Sequence, residues 1–200
     1  MECLCKCRLS YSDAAATKIN NKQEVNVLGV HNTARSWINS QSEPGKPVGT
    51  FINVNSGLAG YLMPGNSAYG SSKLAVHRYM EFLDLGEFSL LNVAELPTTC
   101  LTDHSFQEYP TLRTFTILPG IVPSGLSNSD AFVTFAKDEG ELSGVLGLYL
   151  ASIRGNYLKG SLVSVNWDLE EMESHKDEIL GGLLKIKWVP VLPCSGGSGW

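Results

Sequence analysis

The sequence has no apolar run approaching the roughly 18 residues that a membrane-spanning helix requires. It has no excess of positive charge either, because its 15 lysines and arginines are outnumbered by 20 acidic residues and the formal net charge is −5. Neither nucleic acid nor a membrane is therefore expected as a partner. Since the sequence also carries no signal-peptide pattern and no lipidation signal, we expect a cytoplasmic protein.

Patterns that bind metal are equally scarce. Three of the five cysteines are crowded into Cys3, Cys5 and Cys7, but alternate spacing is not a common zinc pattern. The four histidines are scattered along the chain and form no ligand pair. We therefore predict no metal site. The length of 200 residues, the apolar content of 43% and the charged content of 18% suit a single ordinary globular domain.

Strands and helices alternate along the chain. Short, apolar, β-branched runs predict strands at residues 50–55, 112–118 and 161–166. Apolar residues on one side predict helices at residues 20–38 and 68–85. A run rich in Leu, Val and Gly predicts a helix at residues 141–152, and acidic residues in the first turns predict one at residues 169–186. The apolar side of the second helix is expected to consist of Leu74, Ala75, Tyr79, Phe82 and Leu83. The alternation indicates an α/β layer fold with a parallel sheet.

Two polar side chains share one face of the helix predicted at residues 68–85. Tyr69 and Lys73 are four residues apart, which places them one helical turn apart on the same side. An ammonium beside a phenol favours the phenolate, so such a pair can exchange a proton near neutral pH. Ser56 follows the first predicted strand, and ligands of open α/β sheets sit at the carboxyl ends of strands. We therefore expect the serine and the tyrosine to meet over one substrate carbonyl.

The segment around these residues resembles the active site of short-chain dehydrogenases/reductases, and of fungal members in particular. It reads Asn55-Ser56-Gly57, followed by Ser67-Ala-Tyr69-Gly-Ser-Ser-Lys73. Three further stretches keep the family's order: Val25-Asn26-Val27-Leu-Gly29, Leu118-Pro-Gly-Ile-Val-Pro-Ser124 and Lys159-Gly-Ser-Leu-Val-Ser-Val-Asn-Trp-Asp168. The resemblance covers residues 20–190 with one interruption. It implies an α/β fold, a Rossmann-like three-layer sandwich with a parallel sheet.

The resemblance assigns a role to each matching residue. Tyr69 would donate the proton in carbonyl reduction or act as the base in alcohol oxidation. Lys73 would promote ionisation of Tyr69 and hold the nicotinamide ribose. Ser56 would hydrogen-bond the substrate oxygen, and Asn26 would hold a water in the proton relay behind Lys73. The implied activity is an NAD(P)-dependent oxidoreductase that interconverts a small-molecule carbonyl and an alcohol.

The resemblance also implies a cofactor site. The cofactor would be NADP or NAD, and it would contact Tyr69 and Lys73. The remaining contacts would come from the loop after the second strand, namely from Pro119, Gly120, Ile121, Val122 and Ser124. Read singly, these residues are ordinary: a Pro-Gly pair is usually a turn, and a serine after a strand is usually a cap. Their combination in the family's order supports the functional interpretation.

The sequence departs from the family in two places. No Thr-Gly-x-x-x-Gly-x-Gly loop precedes Asn26, so we expect a sheet without the N-terminal strands that keeps the family's strands 5, 6 and 7. The strand at residues 50–55 would then have an unpaired apolar edge. Residues 86–107 form an insertion, which we interpret as an untrimmed intron or else a functional loop. Residues 1–19 stay unassigned, and residues 191–200 are expected to be a flexible tail.

Two alternatives to an active enzyme follow from these departures. The chain could be a catalytically inactive fragment that lacks the cofactor-binding loop. It could instead be an interaction module that uses the helices at residues 20–40 and 68–85, which in the family pack against a partner subunit. That alternative implies a homodimer or pairing with a full-length relative.

Overall fold

The computed structural model describes residues 20–41, 48–85, 111–123 and 134–187. Ser124, the predicted insertion, the unassigned N-terminal segment and the predicted tail lie outside these residues. The described residues form one parallel sheet with helices packed on both of its faces. No helix in this part of the chain is long and apolar enough to cross a membrane.

The sheet has three strands, β1 (Gly49–Val54), β2 (Leu112–Leu118) and β3 (Leu162–Ser164). Their spatial order is β1-β2-β3, and both pairings are parallel. In this register Phe51 lies opposite Thr114, and Ile117 lies opposite Val163. The predicted parallel sheet is confirmed, and all three predicted strands form.

Helices connect the strands. Residues 20–39 form one continuous helical run, which we call the asparagine helix; it consists of residues 20–23, a π-helical segment Glu24–Leu28 and α1 (Gly29–Asn39). The other α-helices are α2 (Ser67–Leu85), α3 (Glu141–Ala151), α4 (Leu169–Ser174) and α5 (Lys176–Leu180). Two short 3-10 helices span Gly57–Ala59 and Ile153–Leu158.

Two apolar clusters, one on each face of the sheet, hold the layers together. Alternate strand residues point to opposite faces, so neighbours such as Phe51 and Ile52 belong to different clusters. The first cluster joins the sheet to α3, α4 and α5 and contains Ile52, Phe115, Ile117, Leu146, Leu150, Leu158, Val163, Met172 and Ile179. The second joins the asparagine helix, α2 and β1 and contains Ala34, Phe51, Val76, Met80 and Leu83. These clusters confirm the expected three-layer arrangement.

The predicted apolar side of α2 was wrong in part. Leu74 and Phe82 are 44% and 60% exposed, although Leu83 is buried. The side that faces the protein instead contains residues four apart, namely Ser72, Val76, Met80 and Asp84. Because half of these are polar or charged, a count of apolar letters could not identify the buried side.

The helix predicted at residues 169–186 is two short helices. Between α4 and α5 the backbone of His175 leaves the helical region, with φ −102° and ψ 23°. The Ser174 hydroxyl donates to the Glu171 carbonyl at 2.6 Å, a local bond that competes with helix continuation. After α5 the chain turns at Gly182, whose φ is +86°. The sequence favoured one long helix because acidic residues are concentrated in its first turns, a signal that indicates where a helix starts but not where it ends.

Candidate active site

The three parallel strands end at one edge of the sheet, and the predicted site residues follow them there. Asn55 and Ser56 come directly after β1, and residues 119–123 come directly after β2. The start of α2, which carries Tyr69 and Lys73, lies beside the end of β1. Crevices at the carboxyl ends of strands are where open α/β sheets bind ligands.

Asn55 joins the end of β1 to α2. Its side chain is buried, donates to the Lys73 carbonyl at 3.1 Å and accepts from the Ser56 backbone N–H at 2.9 Å. Its own backbone N–H donates to the Ile117 carbonyl at 2.8 Å, which prolongs the pairing of β1 with β2. Sequence reasoning noted Asn55 in a motif but gave it no role. The contacts show that it fixes the relative position of Ser56 and Lys73.

Lys73 is tethered to the strand it faces. Its ammonium donates to the Val54 carbonyl at 3.0 Å and lies 5.7 Å from the centre of the Tyr69 ring. Burial lowers the pKa of Lys73, and the nearby ammonium of Lys22 lowers it further. An ammonium has three N–H donors, so the bond to Val54 leaves two directions for a ligand.

Asn26 contacts Ser72 of α2, a residue that the sequence did not single out. Its amide donates to the Ser72 hydroxyl at 2.8 Å, and that hydroxyl donates to the Tyr69 carbonyl at 2.7 Å. Ser72 is fully buried. Asn26 lies in the π-helical segment of the asparagine helix, a distortion often found at functional sites. The structure thus connects Asn26 to the turn of helix that carries Tyr69 and Lys73.

The loop between Ser56 and α2 is packed closely against the helix start. The Ser56 hydroxyl accepts from the Leu58 backbone N–H at 3.3 Å and caps the short 3-10 helix. A Cβ on Gly70 would lie 2.8 Å from the Leu58 carbonyl oxygen, so only glycine allows this approach. The cap expected of a serine after a strand is present, and the hydroxyl still has a proton to donate.

The loop after β2 is held by a residue that the sequence did not single out. The Asp138 carboxylate accepts from the Ile121 backbone N–H at 2.6 Å, and the Asp138 N–H donates to the Ile121 carbonyl at 3.2 Å. Gly120 turns the chain with φ +74°, and a Cβ there would lie 2.4 Å from Asp138 Oδ2. Both main-chain groups of Ile121 are therefore engaged by Asp138.

The predicted residues thus fall into a connected group and a separate loop. Tyr69, Lys73 and Asn26 are linked through α2, and Ser56 is linked to them through Asn55. The predicted loop residues Pro119, Gly120, Ile121 and Val122 follow the neighbouring strand, while Ser124 lies outside the described residues. Within the described ranges, no group of three or more histidine, cysteine or acidic side chains could hold a metal ion.

Comparison with known proteins gives the family. A family model described as short chain dehydrogenase matches residues 6–89, a range that includes the asparagine helix, Ser56, Tyr69 and Lys73. The chain belongs to the short-chain dehydrogenase family. The match begins at residue 6, within the segment that the sequence analysis left unassigned.

Curated short-chain dehydrogenases from fungi are similar to the chain along most of its length. It is 32% identical over 169 residues to short chain dehydrogenase mpl6 of Monascus purpureus, which covers 83% of this chain and 50% of the relative. Short chain dehydrogenase citE of Monascus ruber gives the same values. Short chain dehydrogenase andI of Emericella variicolor is 32% identical over 163 residues, 80% of this chain and 48% of the relative. The chain therefore spans about half the length of the relatives it matches.

Proposed function

We propose that this short-chain dehydrogenase acts as the catalytic segment of an NAD(P)-dependent oxidoreductase that interconverts a carbonyl and an alcohol. The observation that supports this most is the position of the Tyr69–Lys73 pair. Lys73 is bonded to the last residue of β1 and lies beside the Tyr69 ring, at the sheet edge where α/β folds bind ligands. A phenol beside an ammonium at such an edge is suited to proton exchange with a bound oxygen.

The residues present suit the nicotinamide end of NADP or NAD. The two unused donor directions of Lys73 would hold the hydroxyls of the nicotinamide ribose. The backbone after β2 would hold the carboxamide, and Asp138 keeps this backbone in place through Ile121. Within the described ranges, no strand–glycine loop–helix unit precedes β1 to cradle a pyrophosphate. A bound nicotinamide supplies the hydride that the chain's own residues cannot.

In carbonyl reduction, the role of Tyr69 is to give its phenolic proton to the substrate oxygen as that oxygen gains negative charge. The Lys73 ammonium stabilises the resulting phenolate. Ser56 donates its hydroxyl proton in a hydrogen bond to the same substrate oxygen, which stabilises developing charge there. Asn26 acts at a distance from the substrate by holding Ser72 and, through it, the first turn of α2.

The test is oxidation of NADPH or NADH in the presence of a panel of ketones and aldehydes. We expect carbonyl-dependent oxidation by the unmodified chain and a loss of about a hundredfold or more in Tyr69→Phe, because general acid catalysis contributes on that scale. Tyr61→Phe, which alters an exposed tyrosine in the preceding loop, is the matched control and should keep full activity. A chain that melts cooperatively and oxidises neither cofactor would support the inactive-fragment alternative instead.

Exposed apolar residues support a second proposal, pairing with another chain through the asparagine helix and α2. The asparagine helix exposes Val25 and Leu28, and α2 exposes Leu74 and Phe82. Within the described ranges, β1 pairs only with β2, and a groove of about 370 Å³ lies between the outer part of β1 and the asparagine helix. Unpartnered apolar surface of this kind is typical of interaction sites.

Light scattering of the purified chain tests the second proposal. A dimer is expected, and Phe82→Asp on α2 should convert it to a monomer by placing a charge in the interface. Leu148→Asp on α3, also an exposed apolar residue, should leave the dimer intact. A monomer at every concentration of the unmodified chain would rule out self-pairing.

A further inference from the structure

We propose that Lys22 makes this site selective for carbonyl substrates that carry a carboxylate next to the reacting group, an inference that rests on the proposed function of the site. Lys22 is one turn before Asn26 on the asparagine helix, and neither composition nor motif pointed to it. Its ammonium lies 5.5 Å from the centre of the Tyr69 ring. It is therefore a second positive charge beside the residue proposed to donate the proton.

The two lysines approach Tyr69 from different elements. Lys73 belongs to α2, the helix of Tyr69 itself, and its ammonium lies 5.7 Å from the ring centre. Lys22 belongs to the asparagine helix, whose position against α2 is set by the bond between Asn26 and Ser72. The second charge thus depends on tertiary packing and is not an accident of helical spacing.

No carboxylate in the described part of the chain forms an ion pair with either lysine. Two like charges close together repel each other, and the effect is seen at Lys73, whose pKa is lowered partly by Lys22. A bound anion would relieve this repulsion. The described acidic residues that do form ion pairs engage other cations, as Asp84 does with Lys159 and Lys185.

The geometry favours an anion that is part of the substrate. A 2-oxo acid has its carboxylate on the carbon next to the ketone, so it can present the ketone oxygen to Tyr69 and the carboxylate to Lys22. Both ammonium groups lie close to the same ring, 5.5 and 5.7 Å from its centre, so a substrate bound at Tyr69 would lie near both charges. A neutral ester of the same acid would have the same shape but would gain nothing from the second lysine.

The experiment compares phenylglyoxylate with methyl phenylglyoxylate as probes. Binding to the purified chain is followed by the NMR signals of ¹³C-labelled Tyr69, assigned with Tyr69→Phe. We expect the acid to bind about two- to fivefold more tightly than the ester, the scale of one exposed charge pair. Lys22→Gln should abolish this preference, and Lys22→Arg should keep it because the charge remains.

Lys176→Gln is the matched control, because Lys176 lies 5.2 Å from the Tyr157 ring in a similar lysine–tyrosine contact away from the strand ends. It should leave the preference unchanged. The inference would be overturned by equal affinity for acid and ester, by absence of acid binding, or by an equal loss of affinity for both probes in Lys22→Gln. Cofactor binding is measured separately: preference for the acid without any NADPH or NADH binding would refute the proposed function while leaving the charge selectivity of Lys22 standing.

Discussion

The two ends of α2 both contain ionisable side chains with shifted pKa values, but one end faces a proposed ligand site and the other end is part of the packed interior. At the start of the helix, Lys73 faces the ends of the strands and keeps donor directions for a ligand. Towards the other end, His77, Glu81 and Asp84 are buried. His77 and Glu81 lie near each other within α2, and Asp84 pairs with Lys159 and Lys185 from later segments of the chain. Burial is the main cause of the shifts in Lys73, His77 and Glu81.

The contacts of Glu81 and Asp84 show that the charges near the end of α2 are structural. Glu81 accepts from the Ile186 backbone N–H at 2.6 Å and pairs with Arg78 at 2.7 Å. Asp84 lies 3.7 Å from the ammonium of Lys159 and 3.6 Å from that of Lys185. These bonds attach the segment after α5 and the turn before β3 to α2. A shifted pKa therefore indicates function only where the group also faces a place for a ligand.

Removing the lysine at the start of α2 gives the largest expected effect. Lys73→Met should lower carbonyl reduction about a hundredfold or more, because the phenolate of Tyr69 loses its neighbouring charge. It should not lower thermal stability, since a half-buried ammonium costs free energy that methionine does not. Rates and melting curves of the variant test this, with the exposed Lys137→Met as control. Unfolding of Lys73→Met would contradict the distinction between the two ends.

Removing the charge of Asp84, at the other end of α2, should lower stability and leave ligand binding unchanged. Asp84→Asn keeps the shape but leaves Lys159 and Lys185 without their buried anion, so the free energy of unfolding should fall by about 3 kcal/mol. Urea denaturation measures the loss. The folded variant should bind the same ligands as the unmodified chain. A loss below about 0.5 kcal/mol, the scale of exposed pairs, would show that this cluster does not hold the segments together.

These two ends also show what could be predicted from the sequence. The spacing of Tyr69 and Lys73 predicted a shared helical face because that depends only on helix geometry. The position of β2 was predicted correctly, since a buried apolar strand has a strong local signal. The burial of Glu81 and Asp84, the contact of Lys22 with Tyr69 and the role of Asp138 could not be predicted. Each depends on residues far away in the chain, and charged residues usually indicate a solvated surface.

His77 should make stability depend on pH. Burial, and to a lesser extent Arg78, lowers its pKa from 6.5 to about 4, which outweighs the carboxylate of Glu81 at 3.8 Å. Between pH 6.5 and about 4, His77 is protonated in the unfolded chain but mostly neutral in the folded chain. The contribution of His77 to stability is therefore fully present only above pH 6.5. It should fall by about 3 kcal/mol as the pH drops to about 4. Urea midpoints of the unmodified chain and His77→Leu, measured across this range, test the prediction; parallel pH profiles would contradict it.

A smaller effect is expected from packing at the start of α2. Gly70→Ala would place a methyl group 2.8 Å from the Leu58 carbonyl oxygen, so the loop after β1 must shift. We expect a loss of about 1 to 2 kcal/mol in the free energy of unfolding, the usual cost of overpacking. Gly144→Ala on α3, where a Cβ meets nothing within 4 Å, is the control and should be neutral or stabilising. Equal effects of the two substitutions would indicate that the loop adapts freely.

Titration of the purified chain with NADPH and then NADH, followed by melting temperature and nicotinamide fluorescence, tests the central claim most directly. A ligand at 100 times its dissociation constant adds about 2.7 kcal/mol of stability, which is several degrees for a domain of this size. We predict such a shift in the unmodified chain and its loss in Lys73→Met. A chain that melts cooperatively but shows no shift and no change in fluorescence with either cofactor would contradict the assignment of an oxidoreductase site.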